Sequence, residues 1–137
     1  MIEQFIEQAA GKYGIPAGTA RDLTGSVVSA LRKDGDDADF AAVAEQVPGL
    51  DAVADEAEAS EAPASSGGLG GLAGMAAKAA GAGGAMDLIQ KFTGAGLSMD
   101  SAGDFVQMLV KFLKDKAGDA VVSKIAAQVP MLSKFLG

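Results

Sequence analysis

Displaced by 82 residues, the chain lies on itself without a gap, residues 14–50 meeting residues 96–132. Identical pairs include Gly14/Gly96, Ala20/Ala102, Asp22/Asp104, Leu31/Leu113, Asp37/Asp119, Ala38/Ala120 and Ala44/Ala126. The run Gln46, Val47, Pro48 and Leu50 recurs as Gln128, Val129, Pro130 and Leu132. Other positions keep their character, as in Ile15/Leu97, Leu23/Phe105, Val27/Leu109, Val43/Ile125 and, just beyond, Val53/Phe135. A duplicated register constrains the fold more than any single motif. Each unit must be a small supersecondary structure that buries its apolar face against a neighbour. The sequence therefore divides into a helical unit over residues 1–54, a connecting stretch over 55–83 and a second unit over 84–137.

Each unit reads as three helices and a short closing turn. Ile2, Phe5, Ile6, Ala9 and Tyr13 recur at helical spacing, and Leu88, Ile89 and Phe92 answer them over residues 84–95. Gly14 and Gly96 supply the left-handed stop that helices commonly use. A second helix begins near Pro16 or Thr19 and carries Ala20, Leu23, Val27 and Leu31 on one side, matched by Ala102, Phe105, Leu109 and Leu113. The tetrads Thr19–Asp22 and Ser101–Asp104 have the form of matching caps. A third helix starts after Asp37 or Asp119 as N-cap and carries Phe40, Val43 and Val47, or Val122, Ile125 and Val129. Pro48 and Pro130 end it, because the residue before proline is pushed out of helical geometry. Leu50 with Val53, and Leu132 with Phe135, then form a short turn back onto the core. The fold class is all-α. Aromatic residues are scarce, with six Phe, one Tyr and no Trp, so Ala, Leu, Val, Ile and Met must fill the core, which suits close helix packing better than a β-sandwich. Units of about 50 residues bury too little surface to be robust alone, so the two are expected to stabilise one another. The two copies are expected to pack as a pseudo-twofold bundle within one chain, the alternatives being separate beads or exchange of halves between two chains.

The connection changes character twice. Asp51, Asp55, Glu56, Glu58 and Glu61 come without a base, ahead of Pro63 and two serines, a composition expected to be solvated and mobile. Residues 67–84 are then almost wholly Gly, Ala, Leu and Met around Lys78, with Leu72–Ala80 a weak helix at best. Gly70 and Gly74 have the spacing of a close-packing motif in membrane helices, but the run is short, glycine-laden and broken by Lys78, which disfavours insertion. The segment Gly68–Ala73, with Asp87 beyond it, matches a dinucleotide-binding pattern in form; without a preceding strand and a βαβ unit that pattern carries no weight. A tether is the better reading.

Composition narrows the chemistry. With no Cys and no His there is no disulfide, no thiolate nucleophile, no Cys/His zinc site and no imidazole for proton transfer near neutral pH. The net charge of −7 disfavours nucleic acid and anionic membranes as partners. That charge is uneven: residues 1–62 carry −9 and residues 63–137 carry +2, a difference that favours contact between the halves or with a second chain. The N-terminus MIEQFIEQAA has acids where a signal peptide has bases, so the expectation is a cytoplasmic protein, with an envelope location requiring a leader already removed.

Few constellations invite a chemical role. Asp34, Asp36 and Glu45 fall at positions 1, 3 and 12 of a calcium loop, but Ala38 and Asp39 occupy positions 5 and 6, where a ligand and a glycine belong, and only Asp37 recurs in the second copy. Paired carboxylates need a cleft and shifted pKa values before they can serve as acid and base. Gln46 and Gln128 are expected to hydrogen-bond backbone where proline interrupts the helix. Met75, Met86, Met99, Met108 and Met131 read as core filler. Met108, Phe112, Val106 and Val110 give the second middle helix apolar residues on several sides, so it is either central or offers a strip to a partner. The repeated signature Gln46, Val47, Pro48, Leu50 and Gln128, Val129, Pro130, Leu132 is read as structural, and no catalytic, cofactor or metal residue is assigned.

The chain resembles the bacterial VcgC/VcgE family of unknown function. The resemblance lies in the Gly-Ile/Leu-x-x-x-x-Ala start of each middle segment, the middle helix, Val-Pro-x-Leu at the end of a unit, Gly-Gly-Leu-Gly-Gly-Leu-Ala at 67–73 and Gly-Leu-Ser at 96–98. Ala-Gln-Val-Pro-Met-Leu at 127–132 is similar to a repeat in another uncharacterised helical bacterial family. The resemblance implies a bacterial helical protein and transfers no functional residues. Together these features point to a non-enzymatic interaction module, self-associating or binding another protein, without a cofactor. The alternative is a binder of a small apolar ligand or lipid between the two middle helices.

Overall fold

A computed structural model describes residues 1–64, 83–129 and 132, with side chains over 1–57, 88–129 and 132. The described residues form seven α-helices and no strand: α1 Ile2–Tyr13, α2 Ala17–Asp34, α3 Asp37–Gln46, α4 Leu50–Ala64, α5 Gly83–Gly94, α6 Met99–Ala117 and α7 Asp119–Gln128. Helices α1, α2 and α3 lie in the same order and near the same register as α5, α6 and α7 one offset later.

The apolar spacing of α1 brings Ile2, Phe5, Ile6 and Ala9 to one buried face, leaving Tyr13 half-buried at its end. Gly14 closes the helix at φ 65°, and the Ile15 N–H reaches back to the Ala10 carbonyl. The same closure recurs at Gly96, φ 88°, where the Leu97 N–H bonds the Phe92 carbonyl. A side chain would strain the backbone at either glycine.

The N-termini depart from the expected caps. Helix α2 begins directly behind Pro16, which has no capping side chain, and α6 begins behind Ser98, whose Oγ accepts the Ser101 N–H at 3.2 Å. Thr19 and Ser101 are therefore inside the helices, and the tetrads they open are not capping boxes. Asp36, one residue before the expected cap, accepts the Ala38 N–H at 2.8 Å, while Gly118 precedes α7 at φ 101°. Asp37 and Asp119 instead open the first turns, where a carboxylate complements the helix dipole.

The closing turns hold Val47 and Val129 fully buried, their N–H groups bonded to the carbonyls of Val43 and Ile125. Leu50 and Leu132 follow, also fully buried, with N–H bonds to Val47 and Val129. Pro48 is exposed, and Gly49 between it and Leu50 has φ 91°. Pro130 and Phe135 lie outside the described residues. In the first half this turn continues into a 15-residue helix, α4. That corrects the reading of the acidic stretch from 51 onward as solvated and mobile. Val53, Ala54 and Ala57 share a face with Leu50 and are buried, while Asp51, Asp55 and Glu56 occupy the outer side of an amphipathic helix.

The core is built around α2, which packs on α1, α3, α4, α5 and α7. Every residue from Leu23 to Leu31 is buried, all round the helix, which is possible because Thr24, Gly25, Ser26, Ser29 and Ala30 are small. The Thr24 and Ser26 hydroxyls need no outside acceptor for their protons: Thr24 donates to the Ala20 carbonyl and Ser26 to the Asp22 carbonyl. Helix α6 packs on α1, α3, α5 and α7, with Ala102, Phe105, Val106, Leu109, Val110 and Leu113 buried. Met108 and Phe112 are only partly buried, and Gln107 and Lys111 are exposed. The more central of the two middle helices is thus the first.

Candidate functional site

The densest meeting of functional groups is the seam between α1–α3 and α5–α7. Phe105 of α6 is fully buried there. Its ring meets Phe92 of α5 at 5.3 Å, edge-on, and two rings of the first half, Phe5 at 5.5 Å and Tyr13 at 5.8 Å. Phe112 adds a contact to Phe5 at 5.5 Å. Such pairs contribute about 0.5–1.5 kcal/mol each beyond the area they bury. The seam is therefore a packed aromatic joint.

Polar links also cross between the halves. Asp104, next to Phe105, accepts from Lys12 Nζ at 2.6 Å and from Tyr13 Oη at 2.8 Å. The hydrogen bond from Lys12, reinforced by that from Tyr13, holds the Asp104 carboxyl below its ordinary range. Burial, with Asp104 as acceptor, pushes the Tyr13 phenol up. Lys91 of α5 donates to Ser26 Oγ of α2 at 2.7 Å. The Asp36 N–H donates to Gln128 Oε1 at 2.6 Å, and Lys124 lies 3.7 Å from Asp39. All five contacts cross from one half to the other.

Within the first half, α2 receives α4 at very short range. A Cβ on Gly25 would overlap the Val53 carbonyl oxygen and lie 2.8 Å from Ala57 Cβ. Charged pairs flank the notch: Arg21 grips both carboxylate oxygens of Glu56, with Nη2 to Oε1 at 3.0 Å, and Arg32 reaches Asp55 at 2.9 Å and Asp51 at 3.9 Å. The bidentate bond holds Glu56 below its usual range and raises the Arg21 guanidinium.

The residues singled out by sequence have varied placements. Val47, Leu50, Val129 and Leu132 are core; Gln46 and Gln128 are exposed. Gln128 does bond backbone, but in the opposite half rather than beside its own proline. The calcium reading loses its loop, because α3 starts at Asp37 while Asp36 is engaged as a cap and Asp39 faces Lys124. Among the described residues no group of three or more acids is arranged to hold a metal ion. The dinucleotide-like segment, the Gly70/Gly74 spacing, Met75 and Met131 lie outside the described residues. No described helix is long and apolar enough to cross a membrane.

Sequence reasoning missed two arrangements. The Ser26–Lys91 pair has the residue types of a nucleophile and its base, but Ser26 is buried and its proton is directed to the Asp22 carbonyl. In this arrangement Lys91 is a donor that ties α5 to α2. The other is the α2–α4 notch, for which Gly25 between Thr24 and Ser26 was the available signal. Between the halves, Leu31, Phe40, Val43, Val110, Leu113 and Ile125 line an apolar space of about 10 Å³, at the lower limit for one water molecule.

Comparison with known proteins places residues 1–129 on the model of one family, described as protein of unknown function VcgC/VcgE (DUF2780). No curated protein matches the chain, and no solved structure does.

Proposed function

The chain belongs to the VcgC/VcgE family of proteins of unknown function, and we propose that it acts as a non-enzymatic helical interaction module, associating with itself or bridging to another protein. One observation carries this reading: Lys12, Asp104, Gln128, Lys91 and Ser26 are used to join helices of the two halves, and the apolar space lined by Leu31 and Val110 holds no more than about one water. What the fold offers a partner is surface.

In this proposal the two copies form a pseudo-twofold bundle. Support comes from the reciprocity of the contacts. Helix α1 packs on α6 as α5 packs on α2; α3 packs on α6 as α7 packs on α2; and α3 meets α7, its own counterpart. A duplicated unit that supplies its own partner gives a rigid support for surfaces that differ between the copies.

The partner in this reading is a protein, a second copy of the chain or another, and the net charge of −7 argues against nucleic acid. The alternative, an apolar-ligand or lipid binder, requires the space lined by Leu31 and Val110 to open well beyond its present size. Native mass spectrometry of protein purified from its source organism separates the two. A homo-oligomer or a stoichiometric protein partner is the expected result. A co-purifying small molecule would transfer support to the alternative, and a bare monomer would count against both.

A further inference from the structure

We infer that the face of α2 beneath α4 is a helix-docking site, in which α4 is a resident occupant that an acidic, alanine-rich helix of a partner protein can replace. The inference rests on the reading of the protein as an interaction module and names the surface and the partner chemistry.

The site is visible because it is occupied. Gly25 forms a notch that only a backbone flanked by small side chains can enter, and α4 presents Val53 and Ala57 to it. Arg21 and Arg32, three helical turns apart, each take carboxylates from the incoming helix. A ligand therefore needs an Ala or Gly at the notch, apolar residues at the spacing of Leu50, Val53, Ala54 and Ala57, and acids on both flanks. Arg21 and Arg32 are a local positive feature within a stretch, residues 1–62, whose overall charge is −9.

Helix α4 is suited to exchange. Its described buried side chains are one Leu, one Val and two Ala, against two Ile, one Phe and one Ala from the shorter α1. Its charged anchors lie at the surface, where salt screens them. It is joined to α3 only through Val47–Gly49, and the contacts of α2 with α1, α5 and α7 do not pass through it. Elements with a small apolar payload are the ones that open below global unfolding.

The second half does not carry the notch. At the positions of Arg21, Gly25 and Arg32 it has Gly103, Gln107 and Lys114, and Gln107 is exposed. Among the described residues the notch and Arg21 thus belong to the first half alone, while the position of Arg32 keeps a cation.

The test uses the full chain carrying Asp55→Lys and Glu56→Lys, which loosens α4 and leaves α2 untouched, with a fluorescent peptide of residues 50–64 as probe. Hydrogen exchange should show α4 amides at least tenfold faster than in the wild type, with α7 unchanged. Fluorescence anisotropy should show the peptide binding at least tenfold more tightly than to the wild type, less so in added salt, and not at all after a further Arg21→Glu. The milder Asp55→Asn, Glu56→Gln chain should give the same order with smaller changes. Exchange of α4 only together with the whole molecule would overturn the proposal, as would an open α4 without peptide binding. A wild-type chain found with a protein partner in either of those cases would leave the module reading standing and remove this site alone.

Discussion

The two middle helices, α2 and α6, occupy the same register and end up with different neighbours. Helix α2 is small-sided and buried through nine consecutive residues, from Leu23 to Leu31, because three helices of its own half and two of the other close around it. Helix α6 carries the larger side chains, Phe105, Met108, Leu109 and Phe112, yet turns Gln107 and Lys111 to solvent. Side-chain volume and burial are thus divided oppositely. Where the side chains are small, a neighbouring backbone comes close; where they are large, they reach across the seam and fill the joint themselves. Apolar content by itself is a poor guide to which helix is central.

This contrast makes a graded series of expectations. The largest effect should follow Phe105→Ala, which removes the ring at the centre of the joint; a loss of about 4 kcal/mol is expected, more than for Leu23→Ala at the same register in α2. Urea denaturation of the two variants would rank them, and equal losses would remove the special place given to the joint. Exchanging residues between the copies comes next. Gly25→Gln should cost about 3 kcal/mol, because its side chain must displace the Val53 backbone, whereas Gln107→Gly should cost about 1 kcal/mol through helix propensity. Similar values would mean that the α2–α4 approach is looser than described. The caps give a smaller contrast: Ser98→Ala should destabilise by about 1 kcal/mol and Pro16→Ala by less than about 0.5 kcal/mol, since only Ser98 bonds a free N–H.

The pH dependence of the seam is the subtlest of these effects. Asp104 has a lowered folded pKa, so its contribution is present above the ordinary value of 3.8 and is lost as pH falls through the lower folded value. Glu56 behaves in the same sense below 4.5. Denaturation midpoints measured from pH 6 down to pH 2 should therefore drop less steeply for Asp104→Asn than for the wild type. An unchanged slope would show that the Lys12–Asp104–Tyr13 link does not couple to folding.

Much of the fold was legible because helical spacing and stops are local properties. The faces of α1, α2, α3, α6 and α7 follow from residues three and four apart, and Gly14 and Gly96 end their helices for a reason intrinsic to glycine. What was not legible depends on non-local contact. The acidic stretch from Asp51 has the composition of a solvated tether, and its helix is held by contacts with α2: Val53 and Ala57 against Gly25, and Glu56 and Asp55 on Arg21 and Arg32. Asp104 looked like part of a cap, but its partners are Lys12 and Tyr13, more than ninety residues away in sequence and adjacent in space. Gln128 was expected to act beside Pro130, and its acceptor oxygen instead serves the Asp36 N–H of the other half. Asp104 and Gln128 were visible in the sequence; the seam that employs them was not.

The central claim is that the two halves complete a single core. It is tested most directly by circular dichroism and sedimentation of residues 83–137 alone and after addition of residues 1–64. Alone, the fragment should lack stable helix, since Phe105 loses Phe5 and Tyr13, and mixing should restore helix content in a one-to-one complex. A stable, folded monomer of residues 83–137 by itself would contradict the claim.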